Sequence, residues 1–265
     1  MSRKLALFAA AAFGLGLVAA PLVRPAVAAD ENKPAVAAPQ QAQPDAEGFV
    51  SLFNGKDLTG WRGMEGYWSV KDGVISGFQT KEKSKQTFLI WEGGNVTDFE
   101  LRLKFKFAEV DGKIGGNSGI QFRSKVVDEK GFVVGGYQAD FDSGNGYTGI
   151  IYDEKGIAGG RGIMSKRGEK TTYAADFTDA KKQKPTTEPL AKGDKELKEA
   201  IKVGDWNDVV LTVKGNHILF QINGNTTTEV FDDSPKALKE GVLALQLHAG
   251  HTMDIQFKDI KLKKL

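Results

Sequence analysis

Phe99, Leu101, Leu103, Phe105 and Phe107 alternate strictly with Glu100, Arg102, Lys104 and Lys106. Successive side chains of a strand point to opposite faces, so this period of two builds a sheet with one buried and one wetted face. The alternation returns in Phe49 to Phe53, Tyr67 to Gly77, Asn117 to Ser124, Gly136 to Phe141, Asp205 to Val230, Gly241 to Leu247 and Met253 to Leu262. Thr87 to Trp91 is a further apolar strand. Turn signals punctuate these runs at Asp72-Gly73, Lys214-Gly215-Asn216 and Asn223-Gly224-Asn225, which suit tight hairpins. About a dozen short strands with almost no helical periodicity predict an all-β, two-sheet jelly-roll sandwich. A slip in the alternation between Phe257 and Ile260 predicts a bulge near Lys258-Asp259. A short helix is expected over Asp194 to Ile201, and one helical turn from Ser234-Pro235 through Glu240.

The chain begins with Arg3 and Lys4, an apolar run of 16 residues from Leu5 to Ala20, and small residues at Ala26-Val27-Ala28. This pattern is that of a secretory signal. As a membrane anchor the run is short of the roughly 20 residues a span needs. Residues 1–29 are therefore expected to be a signal peptide, residues 30–47 an Ala/Pro/Gln linker, and residues 48–265 one β domain. The expected location is exported, periplasmic or extracellular, with no membrane span after cleavage. There is no cysteine, which excludes thiol catalysis, Cys-ligated zinc, iron–sulfur clusters and a lipoprotein anchor. Removing Arg3, Lys4 and Arg24 with the leader leaves 33 basic against 34 acidic residues. A near-neutral domain is not expected to bind nucleic acid, which demands a basic surface.

Polar residues gather on one face of several strands. In SGIQFRS, Gln121 and Arg123 oppose Ile120 and Phe122. In GYQADF, Gln138 and Asp140 oppose Tyr137, Ala139 and Phe141. In GVLALQLHAG, Gln246 and His248 oppose Leu243, Leu245 and Leu247. A bulky polar set on an apolar backing marks a sheet whose outer face is a working surface. The candidate catalytic residues are Asp140, His248 and Arg123. The candidate substrate-binding residues are Gln121, Gln138, Gln246, Tyr147, Tyr152, Glu154 and Arg161, the last from a glycine-rich loop read as a flap.

LFNGKDLTGW, NSGIQFR, GYQADFD, TGIIYDE, DWNDVVLTVKGNHILFQING and GVLALQLHAG occur in that order. Together they resemble the 3-keto-disaccharide hydrolase-like family over Phe49 to Leu265. The resemblance implies a fold similar to concanavalin A-like lectins and glucanases, and a carbohydrate ligand held on a concave sheet. It implies cleavage of glycosides oxidised to a ketone at carbon three. Many members carry GYE where this chain has Gly136-Tyr137-Gln138, so an amide replaces a carboxylate here. A non-catalytic carbohydrate-binding module is the alternative, because such sandwiches include many lectins.

A 3-keto glycoside has an acidified hydrogen at carbon two, so a general base and donors for the enolate oxygen would drive elimination. Asp140 or His248 is the candidate base; Arg123, Gln138 and Gln246 are candidate donors. No cofactor is demanded, although a divalent metal ion would polarise the ketone in place of donors, and His248 with His251 is the pair considered for it. An ordinary glycosidase would need two carboxylates, for which Asp140 with Asp153 or Glu154 is the candidate set.

Overall fold

The computed structural model describes residues 43–265; the expected signal peptide and most of the linker lie outside the described residues. In chain order the strands are β1 (Val50–Ser51), β2 (Trp61–Arg62), β3 (Trp68–Lys71), β4 (Val74–Gln79), β5 (Thr87–Trp91), β6 (Phe99–Val110), β7 (Lys113–Ile114), β8 (Asn117–Asp128), β9 (Val133–Asp142), β10 (Ile151–Glu154), β11 (Ile163–Ser165), β12 (Glu169–Tyr173), β13 (Thr186–Pro189), β14 (Asn207–Lys214), β15 (His217–Ile222), β16 (Asn225–Asp232), β17 (Val242–Leu247) and β18 (Met253–Lys264). One short helix, α1 (Asp194–Glu199), stands where the sequence predicts it. The segment from Ser234 makes a turn rather than a helix.

The strands form two sheets. The 11-stranded sheet runs β13-β12-β16-β15-β14-β6-β18-β4-β3, with β1 and β7 at its side; the 7-stranded sheet runs β11-β10-β9-β8-β17-β5-β2. The all-β two-sheet sandwich is therefore the architecture. Phe105 of the large sheet stacks on Phe141 of the small one at 3.9 Å, and Phe99 meets Phe122 edge-on at 6.3 Å. Such pairs add specificity of geometry to a core that area burial already favours. Local turn chemistry is obeyed. Asp72 and Gly73 both take positive φ in the β3–β4 hairpin, and the bulge at Lys258-Asp259 is present, with Asp259 at φ 54° and the register shifting between Lys258 and Lys261.

The β8–β9 hairpin does more than pair. Its register slips between Phe122 and Lys125 and again between Val126 and Asp128. Beyond those bulges the hairpin bends over the outer face of its own sheet. Phe88 donates its N–H to Phe132 O at 2.9 Å, and Thr87 Oγ1 donates to Gly131 O at 3.0 Å. Arg62 pins the tip through Glu129 at 2.8 Å. Beneath it, Phe88, Ile90, Val134 and Ala244 form a second apolar cluster, separate from the main core. The continuous apolar run of β5 follows from this: it is buried on both faces.

Two sequence expectations fail here. Arg123 does not join the polar face. It sits at the first bulge with φ 47°, and the extra residue inverts the side-chain parity. Its guanidinium instead donates to Thr97 O, Gly215 O and Leu238 O and pairs with Asp98 at 2.8 Å. Arg161 is no ligand-facing flap residue either. Its guanidinium pairs with Asp232 at 2.7 Å, both side chains 2% exposed, and also donates to Ser234 Oγ. It lies over the Tyr173 ring at 4.3 Å. Arg167 is tied to Asp194 and to Thr148 O, so the glycine-rich segment is fastened down and the roof is the β8–β9 hairpin.

Candidate active site

Strand register arranges the outer face of the small sheet into rows. Asp140 on β9 pairs with Gly119 on β8, and Leu245 on β17 pairs with Ile120. Gln246 therefore falls on the far side of Gly119, where it pairs with Phe88. Asp140 and Gln246 thus share a row across two strand spacings, roughly 10 Å between Cα atoms. The adjacent row runs Tyr152, Gln138, Gln121 and Ala244. The next row in the other direction holds Asp142 paired with Asn117, whose carbonyl accepts the His248 N–H at 3.3 Å. Gly119 is required by this packing: a Cβ there would lie 2.7 Å from Gln138 Cγ and 2.9 Å from Ala139 O.

A directed chain of hydrogen bonds crosses the rows. Ser124 Oγ donates to Gln121 Oε1 at 2.8 Å, Gln121 Nε2 donates to Gln138 Oε1 at 2.6 Å, and Gln138 Nε2 donates to Asp140 Oδ2 at 3.1 Å. Asn117 Nδ2 donates to Asp140 Oδ1 at 3.0 Å. Each glutamine oxygen accepts from the group before it and each glutamine amide donates onward, so the chain ends on the Asp140 carboxyl. Asp140 is itself buried, and burial pushes its pKa from 3.8 up to about 8 against the lowering effect of those two donors. Both oxygens accept an amide N–H, so a proton gained by Asp140 takes one of the lone pairs left over.

This shift has a stability consequence. Between about pH 4 and pH 8 the folded chain holds a proton that the unfolded chain releases, so stability falls as pH rises through that window. Thermal melts at pH 5 and pH 9 should show a larger fall for the wild type than for Asp140→Asn, which cannot ionise. Parallel falls would show that Asp140 is not held protonated by the fold.

Around this carboxyl stand the remaining candidates. Tyr152 is half-buried on the same face, and burial followed by the Glu154 and Asp140 charges raises its hydroxyl pKa. Glu154 is buried and meets Gln86 Nε2 at 3.4 Å and Lys155 at 3.2 Å. Gln86 and Glu154 come from β5's leading segment and from β10, with three strands between, so this long contact spans the face. Tyr147 is 52% exposed on the β9–β10 loop. Asp153 points inward and accepts the N–H groups of Ala158 and Arg161 at 2.7 and 2.9 Å, so it organises a loop instead of serving the face. Sequence reasoning missed Asn117 and Gln86; Asn117 has the same strand parity as Gln121, a signal that was available.

His248 Nδ1 lies 2.8 Å from Ala249 O. A carbonyl only accepts, so Nδ1 is the donor in this contact. The His251 ring lies 5.6 Å away, and burial, then His248, lowers its pKa while Asp142 opposes. Among the described residues no group of three or more His, Asp or Glu side chains converges to hold a metal.

The site is thus an amide-lined row on the smaller sheet of a two-sheet sandwich. The family model for 3-keto-α-glucoside-1,2-lyase-like domains matches residues 48–263, and the chain belongs to that family. A Bacteroides thetaiotaomicron protein named 3-keto-disaccharide hydrolase is 32% identical over 95 residues, a match that covers 32% of this chain and 31% of that relative. A structure from Parabacteroides distasonis ATCC 8503, classed as a candidate glycosyl hydrolase, superposes with TM-score 0.51 at 19% identity, covering 82% of this chain and 99% of that one. The carbohydrate-binding module CBM66 of Bacillus subtilis gives TM-score 0.48 at 13% identity, covering 77% and 96%. No helix among the described residues is long and apolar enough to cross a membrane.

Proposed function

We propose that this protein is exported and cleaves the glycosidic bond of a 3-keto glycoside by elimination followed by hydration, with Asp140 as the general base. The observation that carries the reading is the Asp140 carboxyl: buried, raised to about pH 8, and held by two directed amides. A base of that strength is suited to a carbon acid next to a ketone, because proton transfer is easiest between groups of matched affinity. The family's description and the named relative support a glycoside-cleaving enzyme over a bare binding module.

The steps balance as follows. The Asp140 carboxylate takes the proton from carbon two, the C–H electron pair forms the C2=C3 bond, and the ketone π pair moves to the carbon-three oxygen. When that enolate collapses, the bond between carbon one and the glycosidic oxygen breaks. The departing oxygen takes a proton, for which Tyr152, opposite Gln138 in the adjacent row, is the candidate donor. Water then adds across the C1=C2 bond left by that collapse: its hydroxyl goes to carbon one, its proton restores Tyr152, and Asp140 returns its proton to carbon two, which completes a net hydrolysis.

A two-carboxylate glycosidase is the weaker reading. Glu154 pairs with Gly136, four residues along β9 from Asp140, which separates the two Cα atoms by roughly 14 Å at 3.4 Å per residue and one strand spacing. The Glu154 carboxylate is also engaged by Gln86 Nε2 and Lys155, whereas that mechanism needs a carboxyl group aimed at the scissile bond.

The test is turnover of a 3-keto-glucoside beside its unoxidised counterpart, with and without a divalent cation. Release of aglycone from the keto sugar alone is expected. Release from the plain glucoside at an equal rate would overturn the elimination reading. Sugar binding without any release would make the domain a binding module.

A further inference from the structure

Four amide side chains lie on the outer face of the small sheet near Asp140, and three are engaged. Gln121, Gln138 and Asn117 each donate to a neighbour, and both glutamine oxygens accept. Gln246 is the exception. Its side chain is fully buried, yet neither Nε2 nor Oε1 has a hydrogen-bond partner among the described residues. An unpaired buried amide is costly, and a methionine of similar shape would avoid that cost. A group kept buried and unpaired in the same row as the base, with no side chain at Gly119 between them, is one prepared for an absent partner.

We propose that Gln246 holds the hydroxyketone edge of the sugar, its Nε2–H donating to the ketone oxygen and its Oε1 accepting from the hydroxyl on the adjacent carbon. This rests on the elimination reading above and assigns a substrate contact within it. The match is one of hydrogen-bond polarity. A ketone oxygen only accepts and needs a donor, while the neighbouring hydroxyl has a proton to give. A primary amide offers one of each, side by side. When Asp140 removes the carbon-two proton, negative charge grows on the same ketone oxygen. A donor fixed in a dry site is then worth more than it was in the ground state. Gln246 gains and loses no atoms; it is a catalytic residue by contact with the reacting group. Arg123, which the alternation suggests for this role, is committed to the opposite side of the sheet.

The experiment compares the full chain with Gln246→Met in three measurements. In thermal melts without sugar the variant should be at least as stable as the wild type, because an unpaired polar group has been removed. A clear fall in melting temperature would mean that the amide is already partnered, and would overturn the proposal. With methyl 3-keto-α-glucoside, kcat/KM should fall on the order of 10²-fold, the usual loss for one oxyanion donor; unchanged turnover would overturn it. With the 4-deoxy form of that probe, the wild type should lose affinity by calorimetry while Gln246→Met loses none, since its accepting partner is gone. Equal losses in both proteins would refute the hydroxyl contact. A protein that turns over no keto sugar but binds methyl α-glucoside, with that binding lost in Gln246→Met, refutes the elimination reading and keeps Gln246 as a sugar-holding residue. Binding of neither sugar refutes both.

Discussion

Replacing Asp140 with Asn should lower kcat/KM on a 3-keto glucoside about 10³-fold, within the usual range for loss of a positioned base, while sugar binding survives. The amide keeps the shape of the carboxyl and one acceptor for the Gln138 and Asn117 donors, so the loss reports chemistry more than architecture. The pH profile gives the sharper check. Asp140 works as a base only when ionised, and its pKa stands at about 8. Wild-type kcat/KM should therefore climb about tenfold per pH unit below that value and level off above it. A profile flat from pH 5 to pH 9 would remove Asp140 from the role of base. The same climb is opposed by the stability trend, which falls as pH rises through the window, so activity should be highest where this carboxyl destabilises the fold.

The second large effect concerns folding. Arg161→Met should destabilise the domain by about 3 to 5 kcal/mol, the cost of leaving a buried partner charge uncompensated. Asp232 is the partner left behind. It is 2% exposed, accepts from the Tyr137 hydroxyl, and caps the Ser234 N–H at 3.1 Å. For a domain with roughly 5 to 15 kcal/mol in hand, such a loss approaches unfolding at growth temperature. Denaturant titration of the single variant, and of Arg161→Met combined with Asp232→Leu, measures it. The double variant should recover part of the loss, because removing both charges removes the uncompensated one. A loss below about 1 kcal/mol in Arg161→Met would return that guanidinium to the list of groups free for ligand.

Strand positions, hairpin turns and even the bulge at Asp259 were legible because each has a short-range signature: period two, Asp-Gly chemistry, and a slip in alternation. The polar face was legible for the same reason at Gln121, Gln138, Asp140 and Gln246, which sit on regular strand. Arg123 was not, because one extra residue inverts parity and nothing in QFRS marks it. Arg161 was hidden differently. Its partner Asp232 is distant in sequence, and a guanidinium in a glycine-rich loop looks mobile until the fold supplies a carboxylate and two aromatic rings. The roof was out of reach of local pattern, although the unbroken apolar run from Thr87 to Trp91 announces a strand covered on both sides.

That roof and the reactive row belong to the same pair of strands. The proximal halves of β8 and β9 carry Asn117, Gly119, Gln121, Gln138 and Asp140, and their distal halves fold back as the cover. Insertions or deletions in residues 128–133 would therefore change how far this hairpin covers the face, while the sheet registers kept Gln121, Gln138, Asp140 and Gln246 in place. Under the proposed elimination, the choice of aglycone and the chemistry of bond breaking would then be separately mutable.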